Sequence, residues 1–328
     1  MRKNAFWWGL AALVAVGCGG EARDGTAGDV TAGGEVADGR PVGPPPSYLP
    51  LGHAVRMRID VARIRRSPIA PDISSAIRAS ATWQALAGSS GADPIQDFDA
   101  ILVGADELYT NRRVVVLRTP HDEATVREVV LRMAEGQGTT APQWREVEGL
   151  AVVGWPMPRS DVPYSLAITG PHELVLAPDD DLARIAAVSR EHAARRTGDE
   201  SIEPHLVMRP SEISTMIVGV PLPAYEGYPE PPQRLHAEID EREDGAAVIA
   251  IHTEFADEAR ASAGRAWVEQ QSAYYAQQMM VRAIGMNRPL EELRITQTGA
   301  ALDLGTSLTT EELRRALGLM ALSQLAQR

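Results

Sequence analysis

The chain has 328 residues and carries 44 acidic against 32 basic side chains, a formal net charge of −12 at pH 7, so it lacks the basic balance that nucleic-acid binding requires. Its one cysteine, Cys18, and its one lysine, Lys3, both lie near the N-terminus. The rest of the chain therefore offers no disulfide, zinc thiolate, P-loop lysine or Schiff-base lysine.

The first 17 residues have the three parts of a secretory signal. Met1-Arg2-Lys3 is positively charged, the run from Ala5 to Val16 is apolar and uncharged, and small residues surround Cys18. The apolar run of 12 residues is too short to cross a bilayer as a helix. Residues 1–17 are therefore predicted to be a signal peptide.

The run Val14-Ala15-Val16-Gly17-Cys18 resembles the lipobox of bacterial lipoproteins, with Ala15 where that family favours Leu. In this family the signal is cut before the cysteine, whose thiol then carries a diacylglycerol, so the resemblance implies lipid attachment at Cys18 and a membrane as the partner. Gly19 stands where Asp favours inner-membrane retention in well-studied members, which implies the outer membrane, facing the periplasm or the cell surface. Two alternatives are ordinary cleavage that releases a soluble exported protein and an uncleaved anchor.

The residues after the signal divide into a tether and two domains. Residues 18–50 are rich in Gly and Pro and have almost no large apolar side chain, which predicts a disordered, lipid-anchored tether. Residues 51–196 and 197–328 are predicted as two α+β domains, because about 280 residues suffice for two cores.

The predicted elements of the first domain begin with a half-buried strand, in which Val55, Met57, Ile59 and Val61 alternate with polar residues. The pattern then predicts a helix over 72–87, strands over 98–105 and 113–119, a helix from Asp122, hairpins about Gly149 and Gly170, and a helix that ends near His192. Asp179-Asp180-Asp181 precede this last helix, where acidic residues favour a helix N-terminus. A cation site is the alternative for this acidic run.

The second half repeats this order of elements. It is predicted to contain a strand over 206–209, strands over 234–240 and 247–255, a long helix over 257–284, a hairpin about Gly299 and a last helix opened by a Thr309-x-x-Glu312 capping box. In both halves a strand ending in Thr leads into Asp-Glu-Ala and a helix, at Asp122 and at Asp257.

The repeated order predicts an α+β protein with two tandem related domains. Each domain is expected to be an antiparallel sheet with helices on one face, built from ferredoxin-like βαββαβ-type units with extra hairpins. The body resembles the duplicated α+β bodies of uncharacterised bacterial envelope lipoproteins, a resemblance that carries over no active site.

A polar cluster is predicted on the outer face of the second sheet. A turn at residues 243–245 brings His236 opposite His252, with Glu238 and Glu254 on the same face. Two imidazoles and two carboxylates suit a zinc site or a pH sensor. A solvated sheet face is the simpler interpretation, so no metal and no cofactor are expected.

The long helix has an uncharged middle section, from residue 270 to residue 281. Its apolar residues form two stripes, which predicts that the helix buries Trp267 and Tyr274 and packs on two sides. A ligand groove or an oligomer contact are the alternatives, because Met and aromatic side chains adapt to varied partners. Trp267, Tyr274, Tyr275 and Met279 are the candidate ligand or partner face.

These patterns favour a non-enzymatic lipoprotein of the cell envelope that acts through binding or structural contact. The alternative is a carrier or sensor for a small apolar ligand or lipid. A hydrolase comes third, because it requires a Ser-His-Asp or His-carboxylate site that the sequence does not assemble. The expected partners are the membrane, through the N-terminal lipid, and an envelope protein or a small apolar ligand.

Overall fold

The computed structural model describes residues 48–49, 55–79, 83, 90–105, 112–136, 143–155, 160–195, 230–242 and 245–325. These residues form a mixed α+β protein with a seven-stranded sheet and a four-stranded sheet. None of the helices in these ranges has the length and apolar character needed to cross a membrane. The signal peptide, the strand predicted over 206–209 and the domain boundary after residue 196 lie outside the described residues.

The first sheet is antiparallel throughout, in the order β1-β2-β3-β7-β6-β5-β4. Its strands are β1 (Val55–Asp60), β2 (Ala100–Ala105), β3 (Arg113–Arg118), β4 (Arg145–Val147), β5 (Leu150–Trp155), β6 (Tyr164–Gly170) and β7 (Glu173–Pro178). The helices in this part of the chain are α1 (Val61–Ile64), α2 (Ala70–Ala79), α3 (Glu123–Gly136), a 3₁₀ turn (Asp179–Asp181) and α4 (Leu182–Arg195).

Helices cover both faces of the first sheet, so the prediction of helices on one face is wrong here. Val116 of β3 packs in a core cluster with Ile185 of α4, whereas its neighbour Val115 packs on the cluster that contains Val130 of α3. Side chains alternate between the faces of a strand, and the central strands are apolar at consecutive positions. A sheet that is apolar on both faces has to be covered on both.

The second sheet is also antiparallel, in the order β10-β11-β9-β8. Its strands are β8 (Arg234–Glu241), β9 (Ala247–Glu254), β10 (Arg294–Thr298) and β11 (Ala301–Leu308). The helices in this part are α5 (Glu258–Ala276), α6 (Met279–Ala283), α7 (Asn287–Glu291) and α8 (Thr310–Leu325).

The single helix predicted over 257–284 is two helices, because α5 ends at Ala276. The amides of Gln277 and Gln278 donate to the carbonyl oxygens of Tyr274 and Tyr275, three residues back, which tightens the last turn in the way that helix ends commonly do. The chain then restarts as α6. Met279 therefore lies at the start of a separate short helix.

The core beneath the second sheet combines residues from both halves of the chain. Ile64 of α1 and Ile73 of α2 pack with Ile249 and Leu308 of the second sheet. Two ion pairs also join the two halves of the chain here, Arg63 of α1 to Asp240 of β8 at 2.9 Å and Arg314 of α8 to Asp72 of α2 at 3.1 Å. Helices α1 and α2 thus pack on the four-stranded sheet, although they belong to the range predicted for the first domain.

Two residues of the range predicted as a tether are part of the core. Tyr48 is 0% exposed and Leu49 is 1% exposed, and both belong to the cluster between α4 and the first sheet. Tyr48 comes shortly after three prolines. The free energy gained by burying its aromatic ring offsets the conformational entropy lost when this part of the chain becomes ordered. The folded body therefore includes Tyr48, three residues earlier than predicted.

The capping box predicted at the start of α8 is present. The amide of Thr309 donates to Glu312 Oε2 at 2.7 Å, and the amide of Glu312 donates to Thr309 Oγ1 at 3.2 Å. Arg288 of α7 binds the same carboxylate through Nε at 2.9 Å. Burial alone raises the pKa of the Glu312 carboxyl, but the hydrogen bonds from Arg288 and Thr309 outweigh it, and the pKa lies below its ordinary value.

Candidate functional site

The predicted polar cluster lies on the outer face of the second sheet, in the predicted register. His236 of β8 stands opposite His252 of β9, and Asp303 of β11 stands on the other side of His252. The distances are 2.9 Å from His236 Nε2 to Glu238 Oε1 and 2.7 Å from His252 Nδ1 to Asp303 Oδ1. The sequence did not indicate that Asp303 belongs to this cluster, because the strand that pairs with β9 on that side was not predicted.

The geometry makes separate acid–imidazole pairs on this face. Glu254 lies 3.8 Å from His252 Nε2 and 3.4 Å from the guanidinium of Arg234. Its carboxylate is therefore shared between an imidazole and an arginine. Within the described residues, no group of three or more His, Cys, Asp or Glu side chains could hold a metal ion. The arrangement can form surface ion pairs when the imidazoles are protonated.

The candidate face on α5 and α6 is partly exposed. Tyr274 is 40% exposed and Met279 is 84% exposed, whereas Trp267 and Tyr275 are half-buried. The rings of Tyr274 and Tyr275 meet edge to face, with centroids 5.3 Å apart. The prediction that Tyr274 is buried is therefore wrong, and Trp267 is buried only in part.

The small residues of helix α5 determine which of its sides faces the second sheet. Ala261, Gly264, Gln271 and Ala276 are its buried positions, and Phe255 lies against Gly264. Tyr274 is ten residues beyond Gly264, which at 3.6 residues per turn places it about 80° around the axis. Small residues let the helix approach the sheet closely, so the larger Trp267 and Tyr274 lie at the side.

A groove lies elsewhere, between α2 and residues 93–96. It has a volume of about 1030 Å³ and is lined by polar side chains that include Arg65, Ser74, Arg78 and Asp93. Arg65 donates to the carbonyl oxygens of Ile95 at 2.9 Å and Phe98 at 2.6 Å.

Asp93 accepts further hydrogen bonds within the groove. It accepts from Ser74 Oγ at 3.0 Å and from the amide of Ile95 at 2.8 Å. Together with Arg65, these bonds fasten the loop before β2 to α1 and α2. The polar lining of the groove thus has a structural role.

A second pair of histidines, which the sequence did not single out, lies where β3 leads into α3. His121 Nε2 is 3.1 Å from Asp97 Oδ1, and His172 Nδ1 is 2.9 Å from the carbonyl oxygen of His121. A hydrogen bond from the amide of Thr125 lowers the pKa of Asp122, the cap of α3. These residues are far apart in sequence, so no spacing signal could have found the cluster.

The acidic run Asp179-Asp180-Asp181 forms a 3₁₀ turn before α4. Each carboxylate has an arginine partner: Arg145 is 3.1 Å from Asp179, Arg112 is 2.9 Å from Asp180 and Arg184 is 3.8 Å from Asp181. Asp179 also accepts from the buried Ser165 Oγ at 2.6 Å. These contacts support a role in joining β6 and α4.

Comparisons with known proteins add little. No protein-family model matches the chain, and no curated protein matches it. A solved structure described as crystal form I of TP0453 aligns over 83% of this chain and 96% of that chain, at 10% sequence identity and a TM-score of 0.44. Similarity at this level carries no argument about function.

Proposed function

We propose that this protein is a lipid-anchored, non-enzymatic lipoprotein of the bacterial cell envelope that acts through binding or structural contact. The support for the anchor is the signal-like segment, the lipobox-like run and Cys18 as the single cysteine. An exported chain with one unpaired thiol needs a use for it, and lipid attachment provides one. Gly19 supports placement at the outer membrane.

We further propose that the two sheets descend from a duplicated α+β unit, with related domains over 51–196 and 197–328. The second sheet has the spatial order β8-β9-β11-β10, and the first has β2-β3-β5-β4 when the edge strand β1 is left aside and the β6–β7 hairpin is taken out of its middle. In both, a helix follows the second strand and begins at an aspartate. Asp122 accepts from the amide of Thr125 at 2.9 Å, and Asp257 accepts from that of Arg260 at 2.8 Å. These correspondences support ferredoxin-like units with an extra hairpin in the first.

The observation that carries the contact role is the exposure of Tyr274 and Met279. They are the exposed large hydrophobic residues of the described part of the chain, and the stretch from residue 270 to residue 281 has no charge. Aromatic and Met side chains are enriched at protein interfaces. With the half-buried Trp267 beside them, and with the ring of Tyr275 supporting that of Tyr274, they form the proposed contact face, and its proposed partner is an envelope protein.

The anchor is tested by replacing Cys18 with Ala and separating the cell extract by detergent phase partition. The unchanged protein should enter the detergent phase, and the Cys18→Ala protein should not carry acyl chains. A variant that is still acylated would refute lipid attachment at Cys18.

The contact face is tested by placing a photo-crosslinking amino acid at position 274 in cells. A matched control places it at Arg265, an exposed position of the same helix. A partner captured from position 274 and not from position 265 supports the proposal, and equal capture at both positions contradicts it.

A further inference from the structure

The four-stranded sheet has β8 at one edge and β10 at the other. On β8, Leu235, Ala237 and Ile239 face the core and are 9%, 2% and 7% exposed. At the β10 edge, Arg294, Thr296 and Thr298 are exposed. Within the described residues β10 pairs with β11 alone, so its other side is an edge of the sheet.

The hydrogen-bond pattern shows which residues of β10 face that edge. The amide of Phe255 donates to the carbonyl oxygen of Ala300 at 2.9 Å, and pairing groups alternate along an antiparallel strand. The even-numbered residues of β11 therefore bond to β9, and its odd-numbered residues, such as Asp303 opposite Thr296, bond to β10.

It follows that the backbone groups of Ile295 and Gln297 point away from β11. Within the described part of the chain, no hydrogen bond uses the backbone N–H or C=O of either residue. The strand is regularly paired and contains no Pro or Lys, two of the devices that block edge pairing. Its β-branched residues favour an extended strand.

We propose that β10 pairs antiparallel with β10 of a second copy of this chain, about a two-fold axis at Thr296. The strand is its own complement in this register. Ile295 of one copy stands opposite Gln297 of the other, so the unpaired groups of both satisfy each other. Both sheets then continue as one, with their helices on the same side.

Charge favours the same register. Arg294 is the one charged residue of β10, and pairing about Thr296 places it opposite Thr298 of the second copy. Like charges directly opposite each other in a sheet are destabilising, and this register avoids them. A five-residue strand makes a short contact, so the association depends on concentration. The proposed lipid anchor would strengthen it by confining copies to one membrane.

Cysteine crosslinking in the full chain tests the register. The background carries Cys18→Ala, which removes the native thiol, and the variants are Thr296→Cys and, as a matched control, Thr298→Cys. Residues at the two-fold position form a non-hydrogen-bonded pair with Cα atoms about 4.5 Å apart, within disulfide range. The two Thr298 positions lie four residues apart along the strands, about 13 Å at 3.3 Å per residue. Both side chains are exposed, so neither change should disturb the fold.

Mild oxidation should give a disulfide-linked dimer of the Thr296→Cys chain and leave the Thr298→Cys chain monomeric. Sedimentation of the Cys18→Ala chain should show a dimer that dissociates on dilution. In the same background, Thr296→Glu should weaken the dimer by placing two carboxylates opposite each other, and Thr298→Glu, opposite Arg294, should not. Crosslinking at neither position or equally at both overturns the proposal. So does a chain that stays monomeric at every concentration, which is the outcome expected if another peptide pairs with this edge.

Discussion

Gly264 of α5 faces the ring of Phe255 so closely that no side chain fits between them. A Cβ atom built on Gly264 would lie 2.6 Å from Cζ of Phe255. We therefore expect Gly264→Ala to lower the free energy of unfolding by about 1–3 kcal/mol, the usual cost of overpacking, although Ala has the higher helix propensity. Urea unfolding followed by circular dichroism measures the change.

Gly318 of α8 provides the control, because nothing lies within 4 Å of a Cβ atom built there. Gly318→Ala should raise the free energy of unfolding, by up to about 1 kcal/mol. If both substitutions stabilise the protein, the contact between α5 and Phe255 is not as close as described.

The Arg288–Glu312 pair predicts a loss of stability in acid. The pKa of Glu312 lies below its ordinary value in the folded protein, so the pair stabilises the fold above the unfolded-state pKa. This contribution is lost as the pH falls through the folded-state pKa. Glu312→Gln should therefore lower the free energy of unfolding at pH 7, and the difference from the unchanged protein should shrink towards pH 3. Urea titrations at a series of pH values measure it.

Glu292→Gln is the matched control, since Glu292 also pairs with Arg288 but its side chain is 56% exposed. Exposed pairs contribute roughly 0–1 kcal/mol, so this change should have a small effect at every pH. An equal, pH-independent loss in both variants would show that Glu312 acts through packing alone.

Tyr48 is predicted to hold the start of the body in place. Its ring is fully buried, and burial, together with the nearby Glu173 carboxylate, raises the pKa of its hydroxyl. Tyr48→Ala should lower the free energy of unfolding by about 3–5 kcal/mol, the range for removing a buried aromatic ring. Tyr48→Phe keeps the ring and should cost much less. Thermal melts of the two variants would refute the prediction if Tyr48→Ala were as stable as Tyr48→Phe.

Local patterns along the chain predicted much of this fold and some of the candidate site. The alternation in β8 and β9 and the short turn between them predicted that His236 faces His252, because register follows from which residues must be buried. The capping box at Thr309 could also be predicted, because it is a local motif formed by four consecutive residues.

What depends on contacts between distant segments was not predicted. The packing of α2 on α8 joins segments more than 200 residues apart. The local sequence of one segment does not indicate that it packs on the other. The predicted orientation of α5 was wrong because the large apolar residues Trp267 and Tyr274 were expected to mark its buried side. Gly264, which has no side chain, decides which side of α5 faces the sheet, since it allows the closest approach.

The paired histidines predict that the protein holds no stoichiometric transition metal. His236 Nε2 and His252 Nδ1 each lie within 3 Å of a carboxylate oxygen, in separate pairs on an exposed face. Zinc sites need three or four converging ligands. Elemental analysis of the purified protein should find less than one zinc per chain after dialysis, with His252→Ala as the control. One zinc per chain that is absent from His252→Ala would establish a metal site on this sheet face.

Tyr274 and Tyr275 are adjacent, and the structure predicts opposite results for them. Tyr275 is half-buried, on the side of α5 that contains Gly264 and Gln271, whereas Tyr274 is 40% exposed. A carboxylate at position 275 would have to be partly withdrawn from water, which is unfavourable without a partner. Tyr275→Glu should therefore lower the melting temperature by several degrees, since about 1 kcal/mol corresponds to roughly 2–4 °C in domains of about 150–250 residues. Tyr274→Glu should leave the melting temperature nearly unchanged but abolish capture of a partner by a crosslinking residue at position 279. If Tyr274→Glu captures the same partner as the unchanged chain, Tyr274 is ordinary solvent-exposed surface and the proposed contact face is wrong.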